Sequence, residues 1–155
     1  VIYLAFNPET KQVITVDKLE GANIAEVDYY LSDLNGYPVV TSTYYNSPHF
    51  VMILLNGEEQ KIIQSSVQFY ERSMEQVGMY PLKTPQAAWE ELQNGLGYVV
   101  SANAPEGEVV IKKVFIGYYD PDVYQEYVQP VYVFLGEQEF VAYVPAVTSD
   151  YLIAP

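Results

Sequence analysis

Val109-Val110-Ile111-Lys112-Lys113-Val114-Phe115-Ile116-Gly117-Tyr118-Tyr119, then Pro130-Val131-Tyr132-Val133-Phe134-Leu135, then Phe140-Val141-Ala142-Tyr143-Val144-Pro145-Ala146-Val147 are three apolar runs in close succession. β-Branched and aromatic residues dominate them, and the breaks are the polar stretch Asp120–Gln129 and the turn residues Gly136-Glu137-Gln138. The pattern predicts a long strand followed by a hairpin. Upstream, Tyr98–Val100 reads as a short strand and Asn103-Ala104-Pro105-Glu106-Gly107 as a loop. Before them comes the one firm helix. Thr84 is its N-cap, Pro85 takes the first helical position, where a missing amide costs nothing, and Asn94-Gly95 supplies the stop. Ala88, Trp89 and Leu92 fall on one stripe, while Glu90, Glu91 and Gln93 face water. So short a helix is unstable alone, and the Trp89 stripe is expected to dock on a sheet.

The earlier half of the chain repeats this grammar. Aligning residues 14–63 with 100–141 sets Val27 on Val114, Asp33 on Asp120 and Asn35 on Asp122. Glu20-Gly21 matches Glu106-Gly107, and Asn56-Gly57-Glu58-Glu59 matches Leu135-Gly136-Glu137-Gln138. A spacing of roughly 87 residues marks a duplicated unit, not a short solenoid period. The helix slot of the first copy would fall near or before residue 1.

Within that first copy, Val1–Phe6 and Gln12–Val16 predict a hairpin turned by Asn7-Pro8-Glu9-Thr10-Lys11. Glu26–Leu34 places Val27, Tyr29 and Leu31 on one strand face, and Asn35-Gly36 supplies the positive-φ pair for a two-residue hairpin into Tyr37–Thr41. Pro38, lacking an amide donor, would confine that returning strand to an edge. Phe50–Leu55 and Gln60–Tyr70, joined through Asn56-Gly57, predict a second hairpin.

Half of the 155 residues are hydrophobic and 17% are charged, so the chain is expected to fold. Two modules of this size would each be marginal alone, which predicts a shared interface. The formal net charge of −13 argues first for a soluble, self-repelling surface. It leaves no basic face for phosphates, which disfavours nucleic acid and anionic lipid as partners. The absence of cysteine removes disulfides, thiolate metal sites and cysteine nucleophiles together. No apolar stretch approaches the ~20 residues that span a bilayer. The start at Val1, inside the run Val1–Phe6, predicts a processed or excised product, with any membrane anchor upstream.

Catalytic and metal motifs are sparse. His49, the sole histidine, has no nucleophile elbow beside it and reads as structural at a strand entrance. Asp33-Leu34-Asn35-Gly36 places its glycine two positions too early for a calcium loop and reads as a turn. Asp120-Pro121-Asp122 with Glu126 reads as a solvated acidic connection in preference to a weak cation site. Glu58-Glu59 and Glu90-Glu91 diverge as sequence neighbours and do not make an acid/base pair. Gly95-Leu96-Gly97 follows a helix, which excludes a dinucleotide loop. No catalytic residue, metal or cofactor is expected.

Tyrosine is the one unusual abundance, with sixteen copies including Tyr29-Tyr30, Tyr44-Tyr45 and Tyr118-Tyr119. As a favoured strand residue it fills half-exposed sheet faces; exposed in clusters, it offers large contact area at little rotamer entropy. Neighbouring tyrosines on a strand point to opposite faces. The candidate interaction surface is therefore Tyr118, Tyr124 and Tyr127 with Asp120 and Asp122.

Thr84-Pro85-Gln86-Ala87-Ala88-Trp89-Glu90-Glu91-Leu92-Gln93-Asn94-Gly95, followed by Ile111–Tyr119 ending in Gly-Tyr-Tyr and by Gln129-Pro130-Val131-Tyr132-Val133-Phe134, resembles the extracytoplasmic modules of the YycH/YycI two-component-system regulatory proteins. The resemblance covers the second half directly and the first half through the repeat. It implies an exported bacterial protein, tethered by one N-terminal helix, whose tandem α+β modules modulate a sensor kinase or other envelope partner. It carries over no catalytic residues.

The resulting expectation is an α+β fold of two related antiparallel sheet modules, residues 1–80 and 81–155, the second with one amphipathic helix on its sheet. The expected function is a non-enzymatic, extracytoplasmic interaction or regulatory domain acting by protein–protein contact. A carbohydrate- or cell-surface-binding module using a tyrosine-lined groove is the alternative. A hydrolase whose carboxylates only the fold brings together is a third class.

Overall fold

In a computed structural model describing residues 1–56, 59–68, 70, 71, 73, 78–102 and 108–151, the chain is mostly β with one α-helix. The strands are β1 (Ile2–Asn7), β2 (Gln12–Val16), β3 (Ile24–Asp28), β4 (Val39–Val40), β5 (Phe50–Asn56), β6 (Glu59–Ser66), β7 (Tyr98–Ser101), β8 (Ile111–Tyr119), β9 (Gln129–Gly136) and β10 (Val141–Pro145); α1 is Pro85–Gln93. The turn at Gly57-Glu58 and the loop 103–107 lie outside the described residues.

Two compact units interleave along the sequence. Val1–Tyr30 with Asn46–Phe69 form unit 1, and Leu31–Tyr45 with Tyr70–Pro155 form unit 2. The boundary expected at residue 80 put Leu31–Tyr45 with the first module. Strand pairing moves it, because β4 lies beside β8.

Unit 1 is a five-stranded antiparallel sheet in the order β2-β1-β3-β5-β6. The β1–β2 turn forms as the sequence predicts: the Asn7 side-chain oxygen accepts from the Glu9 amide at 2.9 Å and the Thr10 amide at 3.2 Å, and Lys11 takes φ 56°. Asn23 then stands in for a strand residue. Its side-chain oxygen accepts from Phe6 N at 2.7 Å and its amide donates to Phe6 O at 2.9 Å, extending the β1–β3 ladder one step past Leu4 and Ile24.

The strand expected over Glu26–Leu34 ends at Asp28. Tyr29 makes one more ladder bond, its amide donating to His49 O at 2.8 Å, and its own carbonyl is taken by the Ser47 hydroxyl. That side-chain donor ends the pairing. The Asn35-Gly36 turn does form, with φ 53° and 80° and reciprocal Leu34–Tyr37 backbone bonds of 2.9 and 3.0 Å. It is a local loop of unit 2, however, and does not return a strand onto β3.

Unit 2 carries β4-β8-β9-β10-β7, antiparallel except for the β4–β8 pair. Val39 and Val40 run parallel to Tyr118 and Tyr119, with Tyr118 N donating to Pro38 O and Asp120 N to Val40 O, both at 2.9 Å. Pro38 needs only its carbonyl here, and β4 is indeed an edge strand. Helix α1 covers one face. Ala88, Tyr132, Phe134, Val144 and Ala146 form the buried cluster, with Leu92, Ile111 and Ile116 at its margin. Thr84 Oγ1 caps α1 by accepting from Ala87 N at 3.2 Å, and Gly95 ends it at φ 74°. Trp89 sits at the rim, 38% exposed, its ring 6.0 Å from that of Phe134. Tyr132 donates its hydroxyl proton to Lys83 O at 2.7 Å, which fixes the chain entering the helix.

Lys83 extends this anchoring. Its ammonium, on a side chain only 7% exposed, donates to both Glu91 oxygens at 2.7 and 2.6 Å. Glu91→Gln leaves a mostly buried cation half-compensated and is expected to cost about 1–3 kcal/mol, moderated by the partial exposure of Glu91. Urea unfolding of E91Q, K83M and the double variant checks it, the double being less destabilised than the two singles together.

The opposite face buries Val40, Val131, Val133, Val141 and Tyr143, flanked by Tyr44, Val100, Phe115, Tyr119 and Leu135. The Tyr143 hydroxyl donates to Thr41 O at 3.0 Å, tying the segment after β4 over this face. Burial, reinforced by Tyr44, Tyr119 and Tyr98, pushes the Tyr143 phenol far above its ordinary value. A folded pKa above the unfolded one means that its contribution is complete below about pH 10 and is lost as pH rises further. Denaturant midpoints measured from pH 8 to 11.5 should therefore fall at the alkaline end, and Tyr143→Phe should flatten the fall.

Both sheets contain three neighbouring antiparallel strands, β3-β5-β6 and β8-β9-β10, but only the second set is a meander of consecutive strands, since β4 comes between β3 and β5 in sequence. The repeat-aligned residues Val27 and Val114 both lie in the first strand of their set, but Val27 faces Val51 and Val114 faces Phe134, where the alignment would have set Pro130. The flanks also differ: β3 has antiparallel β1 outside it, and β8 has parallel β4.

Candidate interaction surface

Strand alternation separates the tyrosine pair at the end of β8. Tyr119 turns to the face of Tyr143, with ring centroids 5.7 Å apart, and burial foremost, then Tyr98, Asp122 and Asp120, raises its pKa. Tyr118 turns to the other face and meets Tyr37 edge-on at 6.1 Å. Opposite orientation is what a β-strand imposes on neighbours. Asp120 continues the β4–β8 ladder through its amide, and the Asp122 carboxylate accepts from the Ser42 hydroxyl. Both aspartates thus sit where the connection 120–128 meets the segment after β4. Among the described residues, no group of three or more His, Asp or Glu side chains is placed to hold a metal ion.

Tyr124 and Tyr127 are in the open part of the connection, 67% and 54% exposed. Tyr124 meets the ring of Tyr70 edge-on at 5.3 Å, and Tyr80 meets Tyr151 at 5.9 Å. Tyr127 links the two pairs: the Glu126 carboxylate beside it, foremost, raises its pKa, with burial and a hydrogen bond to Glu126 next and smaller contributions from Tyr80 and Tyr124. The bridge between Leu82 and Val147, with Thr148 N donating to Pro81 O at 3.1 Å, brings residues 80 and 151 to one place. Five exposed tyrosines therefore form one belt on unit 2. The sequence reading named Tyr124 and Tyr127 and missed Tyr70, Tyr80 and Tyr151, which stand outside any tyrosine pair and become neighbours only through folding.

Unit 1 holds a second feature that sequence reasoning missed. Glu26 and Asp28 lie two apart on β3, on one face, with their carboxyl groups close enough to interact. Partial burial first, then the charge and hydrogen bond of Asp28, raises the Glu26 pKa. The Tyr30 hydroxyl is bonded to Asp28 as well, and its pKa is raised by burial and by these two acids. Asp28 Oδ1 is buried without a hydrogen-bond partner. An Asp or Glu at i and i+2 within a strand is the signal in the sequence, because such residues share a face.

His49 is buried in unit 1 and holds the sheet together at the β5 entrance. Its Nδ1 accepts from Gln68 N at 3.2 Å, and its amide donates to Ser47 Oγ at 3.1 Å. With Nδ1 as acceptor, the ring serves as a tie between β5 and the end of β6. Among the described residues no helix is long and apolar enough to cross a membrane. Comparison of the chain with family models, with curated proteins and with solved structures finds no match to any of them.

Proposed function

We propose that this chain is a non-enzymatic interaction or regulatory domain of an exported bacterial envelope protein, acting by protein–protein contact through the tyrosine belt of unit 2. The role is the one implied by the resemblance to the YycH/YycI regulators, with the two sheets read as copies of one module; the run of three neighbouring antiparallel strands in each sheet supports that kinship. The observation that carries the reading is the belt itself. Tyr70, Tyr80, Tyr124, Tyr127 and Tyr151 are 37% to 67% exposed yet contiguous. A contiguous aromatic surface marks a contact site more often than scattered exposed side chains do, and tyrosine is enriched among residues that dominate binding energy.

A glycan-binding reading has one specific support: Tyr124 and Tyr127 flank Glu126, so exposed rings and a carboxylate acceptor stand together. Replacing Tyr124 with a photo-crosslinking phenylalanine analogue in the producing cells separates the two. A discrete protein adduct, absent when the analogue replaces exposed Glu9 in unit 1, is the expected result. Adducts with saccharide alone would overturn the protein-contact reading.

A further inference from the structure

We propose that the belt of Tyr70, Tyr80, Tyr124, Tyr127 and Tyr151 docks a lysine- or arginine-bearing segment of a partner protein, cationic side chains lying over the tyrosine rings with Glu126 at the centre. The inference rests on the protein-contact reading and gives the partner its chemistry. Charge complementarity is the first argument. Residues 114–155 contain not one lysine, arginine or histidine, and four of their acids, Asp120, Asp122, Glu126 and Asp150, lie in or beside the segments that carry the belt; Glu137, in the β9–β10 turn, is already paired with Lys112 at 2.6 Å. Between Tyr70 and Tyr80 the sequence adds Glu71, Arg72 and Glu75, of which only Glu71 is among the described residues. The nearest lysine in sequence to that stretch, Lys83, is already bound by both oxygens of Glu91. The belt therefore lies in a region of net negative charge, which attracts cations within about a Debye length and repels acidic chains.

Ring chemistry is the second argument. A cation is attracted to the negative face of an aromatic ring, and a phenol that donates its proton to a carboxylate becomes more electron-rich, which strengthens that attraction. Tyr127 is hydrogen-bonded to Glu126 in this way. Edge-to-face packing of Tyr70 with Tyr124, with an interplanar angle of 62°, and of Tyr80 with Tyr151, at 66°, holds these rings in fixed mutual orientation without covering them. Little conformational freedom is then lost when a partner binds.

The test uses the full chain and a labelled dodecapeptide of alternating lysine and glycine, a matched glutamate peptide, and labelled N-acetylglucosamine oligomers as the uncharged-sugar control, followed by fluorescence anisotropy. The lysine peptide is expected to bind and the glutamate peptide not to. Tyr124→Leu and Tyr127→Leu, which keep apolar bulk and remove the ring, should each weaken binding about fivefold, and Tyr124→Phe should restore it. Glu126→Gln should weaken binding at least threefold more than Glu9→Gln, a change of the same charge at an exposed position of unit 1. Equal effects of these two would mean diffuse attraction to net charge and would overturn the proposal. So would binding of the sugar oligomers in place of the lysine peptide. If the lysine peptide fails while the crosslink at Tyr124 still yields a protein adduct, the cationic partner is wrong and the contact surface stands; if both fail, the contact reading goes as well. All of these positions are exposed, so loss of folding does not confuse the outcome.

Discussion

Phe134→Ala should unfold unit 2 more readily than any other single truncation on the helix face of its sheet. Phe134 is 1% exposed, the largest side chain among those fully buried, and lies between the Trp89 ring and the cluster of Ala88, Tyr132 and Val144. Removing its ring takes away transfer energy and leaves a cavity that a strand flanked by two hydrogen-bonded neighbours cannot close. The expected cost is about 3–5 kcal/mol, against the ~5–15 kcal/mol that holds a typical domain folded. Near-ultraviolet circular dichroism should show Trp89 losing its fixed environment at a lower urea concentration than in the parent chain. A variant with an unchanged midpoint would mean that α1 does not depend on this contact.

Gly117→Val acts on a different link. A Cβ at Gly117 would stand 2.9 Å from the carbonyl oxygen of Pro38, with Val40 and Val133 side chains close behind. The obstacle is backbone, which cannot rotate aside. The oxygen it would displace is the one that accepts from Tyr118 N. Valine is therefore expected to push β4 off the sheet edge, breaking the bonds to Pro38 O and Val40 O and uncovering Val40, Val131 and Tyr143. A loss of about 2–4 kcal/mol follows from two ladder bonds and the overpacked contact. Limited proteolysis should then cut within residues 31–45 sooner than in the parent chain, whose β4 is held on the sheet edge. Valine is a good strand residue, so resistance at that segment would show that β4 docking does not need the open space at Gly117.

The fates of Asn35-Gly36 and of Gly117 show which parts of this fold were legible. The turn was readable because a positive-φ pair needs only those two residues. Where the chain goes next was not, since a missing Cβ on a strand eighty residues away makes room for it. Likewise the helix is written in Thr84, Pro85 and Gly95, each acting within a turn of its own position, and the three runs that become β8, β9 and β10 are written in their apolar content. Glu26–Leu34 misled for the opposite reason. Its alternation continues through Leu31, but Ser47, distant in sequence, takes the Tyr29 carbonyl and ends the ladder. At the candidate surface, Tyr124 and Tyr127 stood out by composition, whereas Tyr118 packs on Tyr37 and the belt is completed by residues 70, 80 and 151.

The amino-acid sequence by itself determined the strand runs, the capped helix, the acidity, the absence of thiol chemistry and the abundance of tyrosine, because propensity, capping and charge act at or near the residues that carry them. Tertiary structure alone decided that Leu31–Tyr45 joins the second unit, that β4 runs parallel to β8, and that five scattered tyrosines make one surface. These depend on which distant backbones can approach closely and satisfy one another's amides and carbonyls, a condition that no local window of residues contains.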